Sequence, residues 1–176
     1  DNKGNVAIGI DALTESSSYL STDTSIKPKK TVCIGYGAGK TINRDFPSNG
    51  TVAIGYQALN SITSGDENTA VGYHAGLMLD DGDKNTIFGW EAMGGTQNIV
   101  AADNNTCIGY KSGYTITSGS NNVFIGNNAG ATTTAGGSIV AIGVDAGTSN
   151  ITSDGDGCVL IGASAGTALT EGEHAV

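Results

Sequence analysis

Apolar and polar positions along this chain alternate over runs of only three or four residues and then stop, which is the pattern of strands too brief to stand alone. A typical run, Val52-Ala53-Ile54, is preceded by Thr51 and followed by Gly55, an aromatic residue, a variable polar residue and alanine. The same template returns in NVAIGIDAL, TVCIGYGAG, TVAIGYQAL, NTAVGYHAG, NTIFGWEAM, NTCIGYKSG, NVFIGNNAG, IVAIGVDAG and CVLIGASAG, centred on Gly9, Gly35, Gly55, Gly72, Gly89, Gly109, Gly126, Gly143 and Gly162. Successive glycines are separated by 26, 20, 17, 17, 20, 17, 17 and 19 residues, so the unit is 17 residues and the longer intervals hold loop insertions. Self-similarity at a fixed period changes the reading of every residue inside it, because each copy must then take the same place in one repeating architecture.

A unit of 17 residues is too short for a helical pair or a propeller blade, and its β-branched opening reads as a strand. One coil of a parallel β-solenoid is what remains. Turn chemistry often closes the unit, as in Ile62-Thr-Ser-Gly65, Ile116-Thr-Ser-Gly119 and Thr134-Ala-Gly-Gly137. The expected coil is strand, tight corner, short second strand, turn. Nine coils at about 4.8 Å per strand make a rod of roughly 43 Å. No coil buries its apolar side alone, so the array is stable only when stacked. Residues 1–176 are read as a single all-β solenoid domain, either a segment of a longer fibre or a filament subunit.

Side-chain alternation divides the first strand between two faces. The larger residues one and three positions before each glycine, with the aromatic residues after it (Tyr36, Tyr56, Tyr73, Trp90, Tyr110), are expected to fill the lumen. The opposite parity is then expected outside. It carries an Asn or Thr column (Asn5, Thr31, Thr51, Asn68, Asn85, Asn105, Asn122) that would stack as an amide ladder. Beside it runs a small or apolar column, Ala7, Cys33, Ala53, Ala70, Ile87, Cys107, Phe124, Ala141 and Leu160. An exposed apolar stripe of that length marks an interface, so these nine residues are the expected contact between copies of the chain, the alternative being that the chain's own inserted loops cover them.

Composition agrees with strands and turns: 28 Gly against 2 Pro, with only 14% charged and 6% aromatic residues. A net charge of -9 opposes nucleic-acid partners and anionic membrane surfaces, which call for basic protein. No apolar run approaches the roughly 20 residues of a membrane helix, and no leader follows Asp1, so a soluble chain without membrane insertion is expected. Five of the eight basic residues, Lys27, Lys29, Lys30, Lys40 and Arg44, fall in the loops after the first two motifs. They form a candidate ligand loop for an acidic glycan or protein surface.

The motifs, of the form Asn-Thr-Ala-Ile-Gly-Tyr-x-Ala-Gly, resemble the head repeats of trimeric autotransporter adhesins and, more closely, related repeats of bacteriophage tail fibres. The resemblance covers essentially the whole chain. It implies a left-handed parallel β-roll, three chains side by side, and a role as a rigid stalk or receptor-binding head on a virion or cell surface. This chain differs in its longer, uneven repeats and contains no heptad stalk or neck.

Motifs of catalysis dissolve into the repeat. Gly162-Ala-Ser164-Ala-Gly166 has the spacing of a hydrolase nucleophile elbow, yet residue 164 belongs to a variable column and no helix follows. Gly35 to Thr41 lacks the first glycine of a phosphate loop, since residue 34 is Ile. Asp81, Asp83, Asp154 and Asp156 lie in corners and continue into no calcium-binding loop, and His74 and His174 are far apart. No metal or cofactor is expected. Cys33 and Cys107 share a column four coils apart, about 19 Å, too far for a disulfide, while Cys158 takes a different position in its unit. A non-enzymatic fibre or adhesin segment is therefore expected, extracellular or on a virion. An end-to-end filament subunit and an ice-binding solenoid are the competing readings.

Overall fold

The computed structural model describes residues 4–14, 29–42, 48–95, 99, 102–149, 151 and 157–169. Nine three-residue strands, β1 (Val6–Ile8), β2 (Val32–Ile34), β3 (Val52–Ile54), β4 (Thr69–Val71), β5 (Thr86–Phe88), β6 (Thr106–Ile108), β7 (Val123–Ile125), β8 (Val140–Ile142) and β9 (Val159–Ile161), stack in chain order as one parallel sheet. The register is unbroken from Val6↔Val32 to Ile142↔Ile161, so each repeat position forms a column along the rod. The fold is an all-β parallel solenoid, as the period required.

Each strand is short because its two ends are pinned by left-handed corners. The residue five before the motif glycine and the residue two after it have positive φ in every described copy, from 51° at Glu91 to 80° at Gly4 and Gly157. Between those corners the motif glycines stack on one another with φ from 128° to 143°. A Cβ on Gly72 would lie 2.2 Å from the carbonyl oxygen of Gly89, a separation no side chain can adopt. The second half of the unit forms no named strand among the described residues, contrary to expectation; only the bridge Leu79↔Ile99 occurs there. A further left-handed corner four residues after the glycine bends that half (Leu59, φ 47°; Gly76, φ 62°), although coil-to-coil bonds such as Gly76 N–H to Ala92 O continue through it.

The two faces of the strand are the reverse of the sequence expectation. Cys33, Ala53, Ala70, Ile87, Cys107, Phe124 and Ala141 are fully buried inside their own chain, and Leu160 is nearly so. Ala7 is exposed, being on the end strand β1. This column is the lumen and not the outer stripe, so from Cys33 to Leu160 it has no surface to offer a second copy. The Asn column, of the same parity, is inside with it. Asn85 shows why: its Nδ2 donates to Asn68 Oδ1 (3.0 Å) and to Ala102 O (2.7 Å), and its Oδ1 accepts from Asn105 N–H (2.9 Å) and Nδ2 (3.1 Å). Asn105 and Asn122 repeat the pattern, ending on Ile139 N–H (2.9 Å). The amides satisfy backbone groups that turn inward, where water cannot reach them, and once asparagine is inside the alternation carries the small column with it.

Space in the lumen is shared between columns. Isoleucines and leucines of the second half (Ile42, Ile62, Leu79, Ile116) are fully buried against the small residues. Phe124 fits because the facing positions are Gly113 and Gly130; a Cβ on Gly130 would come within 2.5 Å of its ring. Each such side chain contributes roughly 1.5–3 kcal/mol through burial.

Candidate interaction surface

With the lumen filled by small residues and asparagines, the large residues of the motif are left outside. The positions three before, one before and one after each glycine form three parallel outer columns, the first two on the strands and the third in the turn that follows them. They hold Val or Thr; then Ile, Val or Phe; then mostly aromatic residues. Exposure reaches 56% at Phe88, 51% at Trp90, 45% at Tyr56 and 67% at Ile161. This face, which spacing alone had placed inside, is the largest unexplained feature of the molecule. The buried partners of asparagine would have revealed it, since parity then sends Ile54 and Tyr56 outward.

The aromatic column is ordered by its own stacking. Tyr36 and Tyr56 lie 5.2 Å apart between centroids, Tyr56 and Tyr73 5.3 Å, and Tyr73 and Trp90 4.1 Å, with interplanar angles of 11°, 9° and 16°. Because ring faces cover one another, the ladder presents ring edges to solvent rather than open faces.

Polar side chains at the corner two residues past the glycine border this face. His74 stacks on Tyr73 (3.9 Å) and its Nε2 is 2.9 Å from Gln57 Oε1. Burial holds the His74 pKa below the ordinary 6.5, with the Glu91 carboxylate opposing that shift. Lys111 pairs with Glu91 at 3.3 Å and lies over the Tyr110 and Tyr114 rings at 5.5 and 5.0 Å. Its hydrogen bond to Glu91 holds the ammonium above the usual lysine value. Asn128 donates to Asp145 at 3.0 Å.

The candidate ligand loop is only partly brought together. Lys29 and Lys30 are exposed, whereas Lys40 is tied to Asp11 at 3.0 Å, whose hydrogen bond and charge raise the lysine pKa. Lys27 and Arg44 lie outside the described residues. Ser164 occupies a left-handed corner (φ 58°) on an exposed turn, with no helix after it among the described residues. Among the described residues no group of three or more His, Cys, Asp or Glu could hold a metal ion. His174, Asp154 and Asp156 are outside the described residues, while Asp81 and Asp83 hydrogen-bond to the neighbouring coils, Asp81 to Thr63 and Ser64 and Asp83 to the backbone of Asp66. The Thr115 and Thr117 hydroxyls donate to backbone carbonyls of the next coil, at 3.3 and 3.1 Å. Cys33 and Cys107 are buried and form no disulfide; Cys158 is buried at the position that other coils give to the asparagine ladder. No helix among the described residues is long and apolar enough to cross a membrane.

No family model matches the chain, and neither the curated proteins nor the solved structures contain a significant match. The class of protein is therefore defined by the fold alone, a parallel β-solenoid of stacked coils of the kind found in repeat-type fibre proteins.

Proposed function

We propose that the chain is a non-catalytic segment of a rigid fibre or adhesive rod, in which copies associate through the exposed sheet face. The observation that carries this reading is that face: a column of Val and Thr, a column of Ile, Val and Phe along all nine strands, and an aromatic column from Tyr36 to Tyr110, on a molecule whose lumen is already full. Eight strand spacings make the face about 38 Å long. An apolar patch larger than a few hundred Å² is rarely left bare on a monomer. The likeness of the motifs to trimeric adhesin heads and phage tail-fibre repeats supports three chains, an extracellular or virion location, and a cell-surface glycan or protein as receptor.

Two substitutions separate the association from the fold. Phe88→Glu introduces a charge on the exposed face, so each chain should keep its β circular dichroism while the sedimenting mass falls to that of one chain. Ala70→Glu buries a carboxylate in the lumen and should unfold the coil instead. A wild-type protein that sediments as a monomer, or a Phe88→Glu protein of wild-type multimeric mass, would overturn the reading.

A further inference from the structure

The amide ladder of the lumen is interrupted on its N-terminal side. From Asn68 to Asn122 each asparagine accepts the N–H of the residue stacked on it, at 2.9 to 3.0 Å. Each also donates to the carbonyl seven residues before the next motif glycine, for example Asn68 Nδ2 to Gly82 O at 2.6 Å. The β3 coil has Thr51 at the ladder position, and a threonine side chain stops one bond short of the terminal atoms of an amide. The two groups of the β4 coil that an asparagine there would hold, Asn68 N–H and Gly65 O, have no hydrogen-bond partner among the described residues. The hydroxyls of Thr51 and Ser48 have none either. Ser48, Thr51 and Asn68 are fully buried, and Gly65 is buried with them.

Ser48 belongs to this corner by register. A Cβ on its counterpart Gly65 would lie 2.9 Å from the Asn68 amide nitrogen, so the two positions of one coil look into the same space. Glycine or alanine accompanies asparagine in the coils of β4 to β7, whereas serine accompanies threonine in that of β3. Two of the three unpartnered buried side-chain groups among the described residues thus meet at one corner, beside an unpartnered N–H and carbonyl.

We propose that this corner binds a buried water molecule, which takes the place that the amide has in the following coils. The water accepts from Asn68 N–H and the Thr51 hydroxyl and donates to Gly65 O and Ser48 Oγ. Buried backbone N–H groups are rarely left without a partner, and where side chains supply none an ordered water does. Such a water typically makes about three hydrogen bonds, and a chain of this length holds on the order of six of them. All four groups are neutral, and two are hydroxyls that can donate or accept, which suits water rather than an ion.

Crystallography of the full-length protein, at a resolution that shows ordered water, tests the site. Expected is a water within about 2.7 to 3.2 Å of both Asn68 N and Gly65 O. In Ser48→Gly/Thr51→Asn, which copies the pairing of the β4 coil, the introduced amide should take over both bonds and the water should be gone. Oxygen-17 relaxation dispersion of the solvent reads the same change in solution, because it counts water molecules held longer than the protein tumbles; the count should fall from wild type to the double variant. A Thr51 or Ser48 hydroxyl bonded directly to Gly65 O or Asn68 N–H, with no water between, would overturn the proposal. So would a dry corner in the wild type, or an unchanged count of held water in a folded double variant. Should the double variant fail to fold, the wild-type crystal structure decides alone.

Discussion

Cys33 and Cys107 occupy the lumen position that several coils give to alanine, and burial pushes both thiols from the ordinary 9.0 up to about 12. The fold therefore prefers the protonated thiol. Below pH 9 both the folded and unfolded chains hold that proton and the stability is fully present; above it the unfolded chain ionises while the fold resists, so stability falls as pH rises towards 12. The loss is at most about 1.4 kcal/mol per pH unit for each thiol. Urea midpoints measured across this alkaline window should fall less steeply for Cys33→Ala/Cys107→Ala than for the wild type, and an identical slope would show that the thiols reach solvent. Spacing made it legible that the two share a column and cannot pair with each other. It could not say that the column is internal, because alanine and cysteine suit a packed interface as well as a lumen.

At the scale of the strand, the glycine that defines the repeat is there for the backbone of the next coil. Gly72 has Gly89 stacked directly on it, whereas nothing lies within 4 Å of a Cβ built on Gly162. Both have positive φ, near 143° and 128°. Gly72→Ala should thus break the stack, lowering the thermal midpoint by many degrees, while Gly162→Ala should cost only the strain of an unfavourable φ, about 1–3 kcal/mol. Equal effects in a melting experiment would mean that conformation and not contact accounts for both. The amide ladder is the second device at this scale. Asn105→Ala removes two donors and the acceptor on which Asn122 N–H and Nδ2 rely, so it should destabilise by roughly 2–5 kcal/mol, several buried groups being left unpaired at once. Chemical denaturation checks this, and a change under 1 kcal/mol would mean that water takes the place of the amide. The ladder's existence could be read from the recurrence of asparagine at one offset; its side of the strand could not, since amide ladders form on open surfaces as well.

For the whole molecule, function depends on what the exposed face touches. Columns of Tyr36, Tyr56, Tyr73 and Trp90 stack tightly enough to be rigid before any partner arrives, which lowers the entropy lost on association. Recognition of anything other than a further copy would be left to the loops, where Lys29 and Lys30 are exposed.

Period, strand positions and parallel stacking were determined by the sequence itself, because 17 residues returning to the same template leave room for only one kind of coil. Which parity of that strand faces inward was decided only by the closed coil. Alternation gives two equivalent answers, and large apolar residues inside are the more usual one. Here the interior is narrow, crossed by backbone groups that need amides, and already occupied by the leucines and isoleucines of the second half. Those demands arise from atoms that are distant in the chain and meet only after the coils have stacked, so no local pattern could express them.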